Sequence, residues 1–355
     1  MSSRIDRRKF LRILFLLGIG YGLIPNVACS PSNSSPAPAS ATAGPIPASA
    51  PATELPGPAA SPVPTAASAV AGPVSTATAA TTAPAAVSEL AVARGSSPEA
   101  ITRAAIGALG GMGRFVKAGS DVIVKPNICV DYHSYEYAAT TNPEVVGTLV
   151  KLCLETGAKR VRVMDAPFGG TAERAYANSG IADAVKAAGG QMEVMSNLKY
   201  QDVAIPAGRD IKKWKIYRDV VDGGAVLINV PIAKTHDLAG LTMGMKNLMG
   251  VIQNRGSLHT NIDQRLADLS TVIRPALTVV DAVRILIHNG PTGGRLSDVK
   301  QMNTLVASSD IVAADSYGAT LFGKKGADLG YLRNAAAMGL GVLDLSHVTI
   351  KEVTA

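Results

Sequence analysis

The sequence predicts an α/β fold: a predominantly parallel sheet flanked by helices, arranged as one large core or two smaller lobes. Two observations predict it. From Ser88 onward, short apolar runs of strand length alternate with longer segments of helical periodicity, the pattern of strands joined by crossover helices. The run 225–231 then reads as a strand buried on both faces, with polar residues collecting directly behind it.

In chain order, 90–93 reads as a first strand. Residues 98–109 follow as a helix, with Ser97 as its cap and Glu99 in its first turn. Residues 121–128 form a strand that carries Lys125-Pro126-Asn127. Asn142-Pro143 opens a helix as cap and first residue, and that helix runs to Thr156 before Gly157 closes it. The next strand is 160–165. Gly169-Gly170-Thr171 leads into a helix through Ala177, and 181–188 makes another. Residues 192–195 and 203–205 are short strand candidates, while 209–222 is mixed, basic and without an assignment. Behind 225–231 come Lys234-Thr235-His236 and a short helix over 242–251 with Lys246 and Asn247. Residues 262–273 are helical, and 277–286 is a strand containing Asp281. Residues 288–295 make a turn-rich loop and 303–307 a strand. Helices follow at 310–321 and 329–338, and 348–353 closes the chain as a strand. No internal repeat is present.

The first 87 residues have a different character. Arg7-Arg8-Lys9-Phe10-Leu11 precedes a mostly apolar run, 13–24, and then Pro25-Asn26-Val27-Ala28-Cys29, the three-part layout of an export signal. The apolar run falls short of the roughly 20 residues a membrane span needs. The segment resembles twin-arginine signals, which implies recognition by the twin-arginine export machinery after folding, often with a cofactor already inserted. Val27-Ala28-Cys29 looks like the end of a lipoprotein cleavage box, with Asn26 where an aliphatic residue is usual. Lipidation and membrane tethering through Cys29, ordinary cleavage nearby, and no cleavage all stand open. Residues 30–87 are almost wholly Ala, Pro, Ser, Thr and Gly, with Glu54 the sole charge. Such a chain buries too little apolar surface to offset its conformational entropy, so a disordered linker is expected, reaching at most about 180 Å in polyproline geometry.

Of the formal net charge of +7, five basic and two acidic residues lie before Ser88, which leaves +4 on 88–355. Without a Lys/Arg cluster and with few aromatic residues, nucleic-acid binding is not expected. A mildly positive surface suits a small anionic molecule. Three cysteines and no CxxC motif make a cysteine-bound iron–sulfur cluster unexpected, and a Cys129–Cys153 disulfide cannot be deduced from spacing.

Polar residues repeatedly follow strands: Lys125 and Asn127, Asp165, Lys234 with His236, and Asp281. In a parallel sheet, carboxyl ends share one edge, so these residues could converge, although a single strand-terminal Asp or Asn is usually a cap or turn former. Gly169-Gly170-Thr171 is a candidate anion cradle, and 290–294 could form a second, but neither a dinucleotide fingerprint nor a Walker A loop is complete. Histidine titrates nearest neutral pH and is the commonest metal ligand, which singles out His236 and His259. Their separation fits no standard zinc pattern. Lys234 and Lys246 near a histidine would depress each other's pKa values, which is how a lysine becomes a base or nucleophile.

Taken together, Lys125-Pro126-Asn127, Asn142-Pro143, Gly157-Ala158, Ser179-Gly180-Ile181, the KTH and MKNLMG motifs of 229–250, His259, Asp281, Gly290-Pro291, and Ala307-Ser308 with Asp310 and Asp315 resemble the domain-of-unknown-function family 362. The resemblance covers essentially all of 88–353. Many members carry an added ferredoxin-like cluster domain whose cysteines are absent from this chain, so electron transfer is not implied here. In order and approximate spacing, His236, Lys246 and His259 are also similar to the lactate racemase family. That looser likeness implies an acid/base histidine at His236, covalent attachment of a nickel pincer nucleotide at Lys246, and metal ligation by His259.

The expectation is an exported enzyme that performs cofactor- or metal-assisted proton transfer, of racemase or isomerase type, on a small anionic substrate. His236, Lys234 and Lys246 would be catalytic. Lys246, Asn247, Lys125, Asn127, Gly169 and Gly170 would bind a cofactor, and His259 with Asp315 a divalent metal. The alternative is a periplasmic or surface-tethered binding protein for an anionic solute, and a third reading is an envelope scaffold that uses the long tether.

Overall fold

The computed structural model describes residues 88–355; the twin-arginine layout, Cys29 and the linker 30–87 lie outside the described residues. The first strands are β1 (Ser88–Arg94), β2 (Asp121–Pro126), β3 (Arg160–Val163) and β4 (Gln191–Met192). A separate antiparallel pair follows, β5 (Tyr200–Ala204) and β6 (Lys213–Tyr217). Then come β7 (Val226–Val230), β8 (Ile232–His236), β9 (Gly240–Thr242), β10 (Leu277–Leu286), β11 (Val299–Ser308) and β12 (Val348–Thr354). The main sheet runs β12-β1-β11-β10-β7-β2-β3-β4, with β8 joined to β10 and β9. β11 is antiparallel to β1 and β10, and β9 to β8; the other pairings of this sheet are parallel. The fold is therefore a predominantly parallel α/β sheet, as the sequence pattern predicts.

Helices cover both faces. Successive strand side chains point to opposite sides, so one strand feeds two cores. Val122 and Val124 of β2 join a core with Ile101, Val146, Leu149 and Ile181, supplied by the helices Pro98–Ala108, Pro143–Glu155 and Ile181–Ala187. Between them, Ile123 points the other way and joins Leu266, Val312 and Leu332 from the helices Ile262–Ser270, Ile311–Thr320 and Gly330–Ala337. The choice between one core and two lobes resolves into two cores separated by one sheet. Burying each such aliphatic side chain contributes about 1.5–3 kcal/mol, which is why the strands read as continuous apolar runs.

Several boundaries differ from the sequence reading, each for a local reason. Pro231 interrupts the apolar run because it has no N–H for the ladder. Its carbonyl instead accepts from the Asp281 N–H at 2.8 Å, and the chain continues as β8. Lys234, Thr235 and His236, expected directly behind the 225–231 strand, thus belong to a strand of their own. The expected helix 242–251 starts later, because Gly240–Thr242 pairs with β8; it comprises an α-turn, Gly244–Asn247, and a 3-10 turn, Leu248–Val251. The unassigned segment 209–222 contains β6. β11 starts at Val299, four residues before the expected strand, and pairs with the far end of β10 across a register shift between Ala282 and Arg284. Cys129 and Cys153 are both buried free thiols.

The loop before β6 hangs on Asp268. Its carboxylate accepts the backbone N–H groups of Arg209, Asp210 and Ile211 at 2.8, 2.7 and 2.9 Å and the Gln264 side chain at 2.8 Å. Burial pushes this carboxyl up, but the four donors outweigh it and hold it below its ordinary value. Its contribution is therefore present above about pH 3.9 and lost as pH falls through the lowered folded value. Asp268→Ala strands those donors and is expected to cost about 2–3 kcal/mol in urea unfolding at neutral pH, with a smaller cost at acidic pH.

Candidate functional site

From β2 the chain moves outward to β3 and β4, then returns to lay β7 on the other side of β2. Strand order reverses there, and ligands of open α/β sheets bind outside the carboxyl ends at such a reversal. Lys125 and Asn229 sit side by side in register at those ends. Thr141 ties the two strands together: its hydroxyl donates to the Val230 carbonyl at 2.8 Å and accepts from the Asn127 N–H at 2.9 Å. A surface cleft lined by Asp121, Lys159, Arg160 and Gln191 opens at the opposite, amino ends of β2 and β3.

A buried polar chain runs across the reversal. Lys125, fully buried, pairs with Asp165 at 2.7 Å and donates to Asn247 Oδ1 at 3.0 Å. Asp165 Oδ2 accepts the Ile128 N–H at 2.7 Å. Asn247 Oδ1 also accepts from Asn127 Nδ2 at 3.0 Å, while Asn247 Nδ2 donates to Asn229 Oδ1 at 2.9 Å. Asn127 Oδ1 accepts from Lys234 Nζ at 3.0 Å, and Lys234, 1% exposed, also donates to the Ala139 carbonyl at 2.6 Å. Burial pushes both ammonium groups down, and for Lys125 the adjacent Asp165 charge offsets part of that effect. Gly250 is required here, since a Cβ would collide with Asp165 Oδ1 and Lys125 Nζ.

Lys246 lies beyond this chain and is different. It is partly buried, and its amine makes no hydrogen bond or ion pair. Burial first, and then the positive charges of Lys234 and Arg255, lower it to about 7. Arg255, in the short helix Arg255–Leu258, is held in place by donating to the Ala166 carbonyl at 2.9 Å. The Cys129 thiol interacts with Lys234 and donates to the Pro291 carbonyl at 3.7 Å. His236 and His259 stack with ring centroids 6.2 Å apart. His236 Nδ1 accepts the N–H groups of Leu238 and Ala239 at 3.1 and 3.3 Å, which puts the ring proton on Nε2. Burial, then the Lys246 charge, drives His236 down to about 2 and His259 to about 4, so both rings are neutral at physiological pH.

The structure thus brings together Lys125, Asn127, Asp165, Lys234, His236, Lys246, Asn247 and His259. Asp315 stands apart. It is fully buried, and its two oxygens accept the N–H groups of Gly244 and Met245 at 2.6 and 2.9 Å, so it fastens the Gly244–Asn247 turn where a metal ligand was expected. The Gly169-Gly170 cradle is filled from within: the Asp131 carboxylate accepts the Thr171 N–H at 3.2 Å and occupies the space beside Gly170. The Gly290 N–H likewise donates to Thr235 Oγ1 at 3.2 Å, which makes 290–294 a turn clamped onto β8. Among the described residues no group of three or more His, Cys, Asp or Glu could hold a metal. His236 Nδ1 is committed to backbone, and the Arg255 guanidinium places positive charge beside the cluster. The donor set does not fit a divalent ion held by side chains. Asn229, Arg255 and Cys129 are site residues that the sequence reading passed over.

A family model described as a domain of unknown function (DUF362) matches residues 122–320, more than half of the chain. The chain belongs to the DUF362 family. The matched span contains every residue of the polar chain and of the cluster around Lys246, and leaves out β1 and β12. A thylakoid-associated protein of Synechocystis is 28% identical over 222 residues, covering 58% of this chain and 64% of its own length. The chain thus spans less than two thirds of that relative. A solved structure of a Thermotoga maritima protein aligns with a TM-score of 0.39 and 12% identity, over 65% of this chain and 60% of that one.

The Lys125–Asp165 pair gives the DUF362 site a stability signature. Removing one partner of a buried ion pair leaves an uncompensated charge and costs about 3–5 kcal/mol, whereas removing both costs less. Lys125→Met is expected to destabilise by that amount in denaturant unfolding, and Lys125→Met with Asp165→Asn to recover at least about 1 kcal/mol of it.

Proposed function

We propose that the cluster around Lys246 binds a small anionic molecule and moves a proton on it, with Lys246 as the base. The carrying observation is the setting of that one side chain: among the described residues its amine has no hydrogen-bond or ion-pair partner, it lies within the electrostatic reach of Lys234, Arg255 and the stacked imidazoles of His236 and His259, and burial with those charges lowers it to about 7. Lys234 and Arg255 supply the charge that holds an anion. His236 is better suited to donating from Nε2 than to accepting, because its other nitrogen is already engaged by backbone. This shifts the acid/base role expected of His236 onto Lys246. A lysine tuned near the working pH is effective in both directions of a proton transfer, which typically contributes 10²–10⁴-fold.

A membrane-surface location is part of the proposal. Its support is the twin-arginine layout with Cys29 in the sequence and the thylakoid-associated relative, together with the absence, among the described residues, of any helix long and apolar enough to cross a membrane.

The test is hydrogen exchange at carbon. A panel of small 2-hydroxy, 2-amino and 2-oxo carboxylates is incubated with the protein in deuterated water and followed by NMR. At least one member is expected to take up deuterium, with the rate falling on the order of 10²-fold or more in Lys246→Met. Exchange that survives in Lys246→Met contradicts the reading. Affinity that depends on Lys246 without any exchange makes the protein a binding protein for an anionic solute.

A further inference from the structure

The chemistry around Lys246 narrows the class of anion on which a proton would be moved. A site built only to hold an anion gains most from a fully charged lysine, since attraction falls in proportion to charge. Here the anchoring charge comes from Lys234, itself held by Asn127 and Ala139, and from Arg255, held by Ala166. Among the described residues, Lys246 is the basic side chain of the group with no hydrogen bond and no ion pair. What such a side chain offers is a lone pair. Next to it, the His236 ring has its proton fixed on Nε2, a nitrogen with no protein partner, and so presents a neutral hydrogen-bond donor. An uncharged amine, a neutral donor, the Arg255 guanidinium and the Lys234 amine together form a set that attacks a carbonyl carbon while its oxygen is hydrogen-bonded and a neighbouring carboxylate is held.

We propose that Lys246 forms an imine with a small carbonyl-bearing carboxylate, a 2-oxo acid or an aldehyde acid. The amine nitrogen bonds to the carbonyl carbon, and the carbonyl C–O bond breaks. Both amine hydrogens leave with the oxygen as water, the nitrogen ends doubly bonded to carbon, and nothing is oxidised or reduced. His236 Nε2 donates a hydrogen bond to the oxygen during addition, and Lys234 with Arg255 faces the carboxylate. Once protonated, the imine acidifies the adjacent C–H bond, so on a carbonyl substrate the proton transfer on which this proposal rests is promoted by Lys246 as a nucleophile and electron sink in place of a base. The charged and titratable groups that face Lys246 are Lys234 and His236 from β8, Arg255 and His259 from the segment 255–259, and Cys129 beyond β2.

Borohydride trapping tests this directly. The full chain is incubated with glyoxylate or pyruvate at pH 7.5, reduced with sodium borohydride, and analysed by intact mass and peptide mapping. The expected result is one reduced adduct per chain, located on Lys246 and at least about tenfold above labelling of the exposed Lys213, with the preference following the thiol- and amine-activation logic of lowered pKa. Lys246→Arg, which keeps charge and length, is expected to abolish it while Lys213→Arg leaves it unchanged, and thermal melts of both variants establish that they are folded. Adduct spread evenly over surface lysines, or full adduct in Lys246→Arg, overturns the imine. Lactate, an anion without the carbonyl, separates the two readings. If lactate binds in a Lys234- and Arg255-dependent way but no adduct forms, the imine fails and the anion site stands. If neither occurs, both fail.

Discussion

The ion pair between Lys125 and Asp165 is the constraint on which the site depends. Two charges removed from water at the end of a central strand are tolerated only if their remaining hydrogen-bonding capacity is met, and the surrounding sequence is arranged to meet it. Asn247 accepts from Lys125, the Ile128 N–H satisfies the second carboxylate oxygen, and Gly250 leaves the space that any Cβ would fill. These demands explain the MKNLMG segment as much as any chemistry does. Its Asn and final Gly are fixed by what lies beneath them, and the short helix that carries them is fastened from below by Asp315.

The electrostatic consequence falls on Lys246. With Lys125 neutralised by Asp165, no carboxylate among the described residues pairs with Lys234, Arg255 or Lys246, and burial beside the other two positive charges lowers Lys246. Lys234 has two strong acceptors and Arg255 has carbonyls, so the proton is most easily given up where no acceptor exists. Burial first, with neighbouring positive charge adding to it, keeps His236 and His259 neutral. A lowered amine and neutral imidazoles thus follow from burial in a site where positive charge outweighs negative.

Much of this was legible in the sequence because it follows from periodicity. Apolar runs and caps such as Ser97 and Asn142 locate strands and helices, and polar residues behind strands converge once the sheet is parallel. Lys125, Asn127, Lys234, His236, Lys246, Asn247 and His259 do meet. What was hidden depends on three-dimensional pairing. Asp315 reads as a functional carboxylate until its two oxygens are seen taken by backbone, and Gly169-Gly170 reads as an anion cradle until Asp131 is found inside it. Asn229 offered a usable signal, a polar side chain within a strand otherwise buried and apolar. Arg255 and Cys129 offered none, since their roles arise from loops whose path the pattern does not set.

The central claim is that Lys246 is an amine of depressed basicity in a cationic site, and its own titration measures that most directly. With the lysine Nζ followed by heteronuclear NMR and assigned through Lys246→Arg, the account predicts a midpoint near the value of about 7 that burial and the neighbouring cations impose. A midpoint near 10.5, the ordinary lysine value, would contradict it.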